Sequence, residues 1–181
     1  MNIKITENIH IESLALPHAE NIFYTIDSFR SELREWLPFV DYTNRVEDSI
    51  HFINYATTSG DIIFAIFHEN NFTGLAGIKD IDDANKKAEI GYWISPAFQN
   101  KGIATTVSEF LIKYCFNELN LNRIQICIGV NNIKSNRVAE KLNLKLEGIQ
   151  RDGELLVSGF HDLNVFSIIK REFNNKQNAS N

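Results

Sequence analysis

The chain has 181 residues, of which 44% are hydrophobic, and a formal net charge of −5. This length predicts one domain around one core, and the mixed, mildly acidic charge argues against a nucleic-acid-binding protein, which would show a basic face. Cys115 and Cys127 fit neither a disulfide framework nor a zinc site by number or spacing, so we expect no metal. No apolar run is long enough to span a bilayer, and we expect a cytoplasmic protein that does not bind membranes.

The first half of the chain alternates short strands with short helices. "IHIESLAL" has the alternation of a strand, and Pro17 then stands in the first-turn position of a helix that we expect to reach about Phe29. Pro38 ends any helix by Leu37, and a further helix is predicted from Val46 to Thr58. "DIIFAIF" and "FTGLAGIKDI" predict two strands joined by the turn "NN".

The second half contains a long amphipathic helix. "AEIGYWI" is predicted as a strand, and apolar residues then recur at helical spacing from Ile103 to Tyr114. "RIQICIGV" alternates as a strand does, and a short helix is expected from about Ile133 to Leu142. The last apolar segment, "LKLEGIQRDGELLVSGFHDLNVFSII", predicts two strands joined by a polar turn.

Together these elements predict an α/β (α+β) fold in one domain over residues 1–172. Its central sheet is mixed and mostly antiparallel, with about seven strands, and about four helices flank it. Residues 173–181 are polar, and we predict that they form a disordered tail.

The stretch "SPAFQNKGIATT" lies where a strand hands over to the long helix. Gly102 and Ala104 carry almost no side chain, so a ligand could approach the backbone there. The start of a helix also offers free N–H groups and a positive dipole end, which can bind a pyrophosphate without a cluster of basic side chains. Lys101 adds one charge. Taken alone the motif is weak, because Gly102 could simply shape the turn.

The surroundings of this stretch strengthen the interpretation. "GYWISPAFQNKGIATTV", followed by "VNNIKSNRVAEKLNLKLEG", resembles the GCN5-related N-acetyltransferase (GNAT) superfamily, whose signature Gln/Arg-x-x-Gly-x-Gly/Ala is met from Gln99 to Ala104. "REWLPFV", "SNRVAEKLNL" and "FHDLNVFSI" are similar to the ribosomal-protein N-terminal (serine) acetyltransferases of the RimJ/RimL type. The resemblance covers about Asp61 to Lys170.

The resemblance implies a site for acetyl-CoA. It implies a GNAT fold whose sheet is splayed between strands four and five, so that the pantetheine arm lies in the gap. The implied cofactor-binding residues come from the strand before the signature, the signature itself and the turn after the next strand: Trp93, Ile94, Gln99, Asn100, Lys101, Gly102, Ile103, Ala104, Thr105 and Asn132. Asn132 could instead be no more than a helix N-cap.

The resemblance also implies the groups that manage protons. Many superfamily members protonate the thiolate with a tyrosine, but that position is Ala139 here. Enzymes of the RimJ/RimL type use a serine and a glutamate, which match Ser135 and Glu154. His161 is the alternative base, and we place Glu154 ahead of it. Asn143 replaces the usual glycine at a helix end, where a left-handed conformation is expected.

The expected acceptor side mixes carboxylates with aromatic surface: Glu35, Trp36, Leu37, Tyr92 and His161. Trp36 and Leu37 could alternatively be the buried face of a helix end. The expected activity is acetyl transfer from acetyl-CoA, by direct attack in a ternary complex, to the N-terminal amine of a ribosomal protein. The alternatives are acetylation of a small amine (a polyamine or antibiotic) and a non-catalytic acyl-CoA-binding module. A homodimer is compatible with the resemblance.

Overall fold

An eight-stranded mixed sheet organises the computed structural model, which describes residues 1–179, with side chains described through Asn175. The strand order is β1-β2-β3-β4-β5-β6-β8-β7, and all neighbours are antiparallel except β5 and β6, which are parallel. The strands are β1 (Asn2–Lys4), β2 (Ile9–Ser13), β3 (Ile62–His68), β4 (Asn71–Asp82), β5 (Lys87–Ile94), β6 (Arg123–Gly129), β7 (Lys145–Leu156) and β8 (Gly159–Ile169).

Helices connect and cover these strands. Short 3-10 turns at Leu16–His18, Pro38–Tyr42 and Pro96–Phe98 each begin at or next to a proline, whose fixed φ suits the first turn. The α-helices are α1 (Ala19–Ser28), α2 (Arg30–Leu33), α3 (Val46–Thr58), α4 (Ile103–Asn117), α5 (Ile133–Lys141) and α6 (Lys170–Ala179). No helix within residues 1–179 is both long enough and apolar enough to cross a bilayer.

The sheet buries apolar side chains on both faces, because side chains alternate along each strand. One face carries Ile90, Ile124 and Ile126 into a core shared with α4, α5 and α6. The opposite face carries Ala65, Leu75 and Trp93 into a second core formed with α1 and α3. We call these the α4/α5 face and the α1/α3 face.

Strands β5 and β6 are splayed apart. They pair at three positions only, from Lys87 opposite Arg123 to Glu89 opposite Gln125. Beyond Glu89, the residues 90–94 of β5 have no partner in β6, whereas β6 stays paired with β8 as far as Gly129. One edge of β5 is therefore open over five residues.

The structure confirms the predicted α/β fold with its splayed, mostly antiparallel sheet. The splay falls between the fifth and sixth strands because the three-residue β1, too short to predict from alternation, adds a strand at the edge. Six α-helices replace about four, since α2 has four residues and α6 lies at the end of the chain. Asn143 has φ 52°, the left-handed conformation that was predicted.

The C-terminal segment differs from the prediction for residues 173–181. Helix α6 spans Lys170–Ala179, and its Phe173 is buried against Phe116 with ring centroids 4.9 Å apart. The core therefore reaches one residue beyond the predicted end of the domain at residue 172. Residues 180–181 lie outside the described part of the chain.

Candidate active site

A cleft of about 620 Å³ opens where β5 and β6 part. It collects most of the predicted site residues, which come from β5, the turn after it, the start of α4, the start of α5 and the segment after α2. The predicted residues that line it are Glu35, Trp36, Leu37, Tyr92, Trp93, Ile94, Gln99, Asn100, Gly102, Ile103, Ala104, Thr105, Asn132 and Ser135. Lys101, Glu154 and His161 are not among the residues that line it.

The cleft passes through the sheet. Tyr92 and Ile94 project to the α4/α5 face and Trp93 to the α1/α3 face, yet all three line it. A closed ladder between β5 and β6 would separate the two faces, so this continuity depends on the splay. A ligand entering beside α4 and α5 could thus present its end to groups on the α1/α3 face.

The turn before α4 leaves backbone N–H groups without an intrahelical partner in residues that line the cleft. Gly102 is the N-cap residue with φ 77°, and no side chain caps the helix. The first backbone bond of the helix runs from Thr106 N to Gly102 O, so the N–H groups of residues 103–105 precede the ladder. A Cβ added to Gly102 would meet no atom within 4 Å. The turn therefore offers an open, positively polarised cradle that fits a diphosphate.

Gln99 joins the turn to both neighbouring elements. Its Nε2 donates to the carbonyl of Ile94 at 3.3 Å, and its Oε1 accepts from Lys134 Nζ at 2.8 Å. Lys101 instead lies over the ring of Phe98, 4.9 Å from its centroid. Of the predicted motif residues Gln99–Ala104, Lys101 alone does not line the cleft.

The start of α5 places Asn132 and Ser135 together. Asn132 is the N-cap residue, and its Oδ1 accepts from the backbone N–H of Ser135 at 3.2 Å. Both expected roles for Asn132 are therefore compatible, because the same side chain lines the cleft. Buried Asn136 fixes this turn by donating to Gly129 O at 2.9 Å and Asn132 O at 2.8 Å.

Tyr92 has a hydroxyl that is shielded from solvent and has no hydrogen-bond partner of good geometry among the described residues. Burial raises the pKa of the Tyr92 phenol, and the neighbouring Ser135 hydroxyl lowers it in part. Tyr92, from β5, and Ser135, from α5, thus line the same cleft.

Glu154 and His161 stand opposite each other in the β7–β8 ladder. Burial raises the pKa of the half-buried Glu154, the charges of Lys79 and His161 oppose this, and that of Glu89 adds to it. His161 Nε2 lies 2.7 Å from Ser158 Oγ. Neither predicted base lines the cleft, and the charged neighbours of Glu154 are Lys79, Glu89 and His161.

A polar cluster accompanies Glu154. Glu89, the last β5 residue paired with β6, accepts from Lys79 Nζ at 2.8 Å, Gln125 Nε2 at 3.0 Å and Cys127 Sγ at 3.3 Å. Burial alone would raise the pKa of Glu89, but the bonds from Lys79 and Gln125 lower it below its ordinary value. Burial and the Glu89 carboxylate raise the pKa of Cys127 to about 12, so this thiol stays protonated.

One arginine side chain fixes the turn Pro38–Tyr42, which directly follows the predicted acceptor residues Glu35, Trp36 and Leu37. Arg30 donates to Val40 O at 2.6 Å and Thr43 O at 2.7 Å. Trp36 is half-buried and packs over Gly129, where an added Cβ would lie 3.5 Å from Trp36 Cζ3. Leu33 is the buried residue of α2, so Trp36 forms cleft surface and is not simply the buried end of a helix.

Comparison with known proteins identifies the family. Residues 9–145 match the model of the acetyltransferase (GNAT) domain. The chain belongs to the GNAT acetyltransferase family. It is 37% identical over 177 residues (94% of this chain and 96% of the relative) to YdaF of Bacillus subtilis (strain 168), which carries a provisional name as a ribosomal N-acetyltransferase.

Two further GNAT proteins are similar over nearly the whole chain. The ribosomal-protein-serine acetyltransferase of Escherichia coli (strain K12) is 28% identical, covering 92% of this chain and 96% of the relative. The crystal structure of the microcin C7 self immunity acetyltransferase MccE in complex with acetyl-CoA and AMP superposes with a TM-score of 0.86 and 29% identity, covering 92% and 95% of the two chains. This GNAT chain is accordingly an acyltransferase.

The cleft of this GNAT chain is also lined by basic side chains that the motif did not indicate. Lys134, Arg137 and Lys141 line it at spacings of three and four residues along α5, which places them on one stripe of the helix. That spacing is visible in the sequence. The sequence does not show that this stripe faces the cleft, because the orientation of a helix is set by its packing.

Proposed function

We propose that this chain transfers the acetyl group of acetyl-CoA to the N-terminal α-amine of a ribosomal protein. The observation that carries the proposal is the cleft through the splayed sheet, with the open start of α4 on one face and the carboxylates and rings of Glu32, Glu35, Trp36 and Trp93 on the other. The amine would attack the thioester directly while both substrates are bound, which requires alignment more than covalent participation by the protein.

The cradle and the open edge of β5 support binding of acetyl-CoA. The N–H groups of residues 103–105, with Gly102 leaving space, would hold the diphosphate. The unpaired edge of residues 90–94 could bind the extended pantetheine arm as an added strand. A backbone N–H near Trp93 or Ile94 would then stabilise the negative charge that develops on the thioester oxygen.

The acceptor side supports a protein N-terminus. Glu35 and Glu32 line the cleft beside the rings of Trp36 and Trp93, which suits a cationic peptide end with apolar side chains. At pH 7 about one-seventh of α-amino groups are neutral, against about 0.04% of lysine side chains. A single carboxylate base can therefore support acetylation of an N-terminal amine much better than acetylation of a lysine side chain.

Glu154 and Ser135 are the proposed catalytic residues. Glu154, half-buried and with a raised pKa, would take the proton from the attacking amine through water. Ser135, in the first turn of α5, would donate a hydrogen bond to the departing sulfur. His161 is the alternative base, and its side chain is engaged by Ser158 at 2.7 Å.

A small amine is the second candidate acceptor. The acetyltransferase MccE, 29% identical to this chain, is named for immunity to microcin C7, and its structure contains AMP beside acetyl-CoA. This name favours a non-ribosomal acceptor for that one relative, so the substrate panel must include small amines.

The test is an acetylation assay with purified protein, acetyl-CoA and three acceptors: a peptide with N-terminal serine, the same peptide with a blocked N-terminus and an internal lysine, and spermidine. Thiol release and product mass should show transfer to the free N-terminus. Glu154→Gln should lower kcat about a hundredfold or more, while His161→Asn retains most of it. Acetylation of spermidine alone would refute the ribosomal proposal. CoA binding without any transfer would point to a non-catalytic module.

We also propose a cytoplasmic homodimer. Strand β7 ends the described sheet, so its outer edge is open, and Leu155 and Phe160 of the adjoining hairpin are 59% and 66% exposed. Light scattering should give a mass of about twice the 20.7 kDa of one chain. A measured mass of one chain at micromolar concentration would refute the dimer and would leave the catalytic proposal unaffected.

A further inference from the structure

The Tyr92 hydroxyl has no role in the scheme above and no hydrogen-bond partner of good geometry among the described residues, although its oxygen is shielded from solvent. An unpaired buried hydroxyl costs free energy, so its retention calls for an explanation. Ser49 and Ser108 are also unpaired, but neither lines the cleft. Tyr92 alone of the three has its side chain at the candidate active site.

The fold brings this hydroxyl to the first turn of α5. Tyr92 lies three residues beyond Glu89, the last β5 residue paired with β6, and its side chain projects to the α4/α5 face. Ser135 lines the same cleft and is oriented by the cap at Asn132. Both side chains therefore line one cleft, Tyr92 from β5 and Ser135 from α5, and the Ser135 hydroxyl lowers the pKa of the Tyr92 phenol in part.

We propose that Tyr92 donates a hydrogen bond to Ser135 Oγ in the loaded enzyme and thereby directs the Ser135 proton at the thioester sulfur. The inference rests on the proposed acetyl transfer. Tyr92 is a positioning residue here, because Ser135 is the group that contacts the sulfur. Both side chains line the same cleft, so the bond requires only that the two hydroxyls reorient toward each other.

The scheme balances without a proton leaving either hydroxyl. The amine nitrogen forms the C–N bond, the C–S bond breaks, and its electron pair stays on sulfur. The amine proton passes to Glu154, and the thiolate takes its own proton from solvent after it leaves. Tyr92 donates to Ser135 and Ser135 donates to the sulfur, and this chain of hydrogen bonds stabilises the negative charge on the departing thiolate. Burial raises the pKa of Tyr92, so the phenol remains a donor at neutral pH.

The experiment compares Tyr92→Phe with the wild-type enzyme, using acetyl-CoA and the N-terminal serine peptide. Because the hydroxyl has no hydrogen-bond partner of good geometry among the described residues, the variant should unfold at the same or a higher temperature. Its kcat should fall about tenfold, the loss expected for one hydrogen bond to a charged state, while KM for acetyl-CoA stays unchanged. A wild-type kcat, or a lower unfolding temperature, would overturn the inference.

A double-mutant cycle tests the coupling to Ser135. In a Ser135→Ala background, Tyr92→Phe should cause no further loss, because the bond it deletes has no acceptor. Losses that multiply would overturn the inference. Tyr114→Phe is the control, since Tyr114 packs on Phe64 and Phe110 outside the cleft and should keep wild-type kinetics. If the wild-type chain acetylated nothing, the proposed function and this inference would both fail. If the wild-type chain is active and Tyr92→Phe has the same kcat, only this inference fails.

Discussion

Glu89 lies 2.8 Å from Lys79 Nζ, and this ion pair flanks Glu154 with one charge of each sign. Burial raises the pKa of Glu154, Lys79 lowers it, and Glu89 raises it. The pKa of the proposed base, Glu154, is therefore adjusted by two residues, Lys79 on β4 and Glu89 on β5, and neither of them lines the cleft. Removing either partner should move the pKa of Glu154 in a different direction.

The first prediction concerns the acidic limb of the pH profile of kcat/KM. A base must be deprotonated, so activity should rise with pH through a pKa above the ordinary glutamate value. Lys79→Met removes a charge that lowers this pKa, and the limb should move to higher pH. Glu89→Gln removes a charge that raises it, and the limb should move to lower pH. Shifts in the same direction would contradict the assignment of Glu154 as base.

The second prediction concerns the close approach of β4 to β5. Gly74 has φ 152°, and a Cβ there would lie 2.0 Å from the carbonyl oxygen of Trp93. Gly74→Ala should lower the free energy of unfolding by about 3 kcal/mol or more, since strain and overpacking combine. Gly60→Ala is the control: Gly60 has φ 86° but no atom within 4 Å, so only conformational strain of about 1 kcal/mol is expected. Equal losses in urea unfolding would contradict the clash.

The sequence allowed the strand, turn and helix around Gly102 to be predicted because three local signals agree there. Alternation marks β5, a glycine stands where φ 77° is needed, and apolar spacing marks α4. Local signals fail where tertiary contacts decide. The three residues of β1 form a strand only through pairing with β2. Helix α6 depends on the packing of Phe173 against Phe116.

The candidate site was predictable to the same extent. The turn before α4 and the first turn of α5 were expected at the residues where they lie, because both are continuous in sequence. The cluster around Glu89 was not, since its members come from β4, β5 and β6 and meet only through strand register. Nor could periodicity show that the Tyr92 hydroxyl is left without a partner, which depends on three-dimensional packing.

The third prediction concerns the edge strand. Arg123 contacts both oxygens of Glu147, at 2.6 and 2.7 Å, and joins β7 to β6 across β8. Hydrogen bonds from Arg123 and Ser167 lower the pKa of Glu147 to about 2. A depressed folded-state pKa adds stability above the unfolded value, and that stability is lost as pH falls toward 2. Glu147→Gln should flatten this acid-induced loss in urea titrations, whereas Glu7→Gln, in an exposed pair, should not.

The fourth prediction concerns the phosphate cradle. Gly102→Glu should abolish CoA binding in calorimetry, because the new side chain would enter the open space beside the N–H groups of residues 103–105 and repel a diphosphate. Gly148→Glu is the charge-matched control, since Gly148 has no atom within 4 Å of its Cβ position and lies on β7 away from the cleft. Unaltered affinity in Gly102→Glu would remove the cradle assignment.

The fifth prediction concerns the cationic stripe of α5. Arg137 and Lys141 line the cleft without an ion-pair partner among the described residues, so their charges are available to an anionic ligand. Arg137→Ala and Lys141→Ala should each weaken CoA binding about threefold to tenfold at low salt, the range for partly exposed phosphate contacts. The difference from wild type should shrink in about 0.5 M salt because exposed charges are screened. Lys113→Ala, which breaks an ion pair with Glu109 on the outer side of α4, should leave CoA affinity unchanged. If all three variants weakened binding equally, the effect would belong to overall charge and not to the stripe.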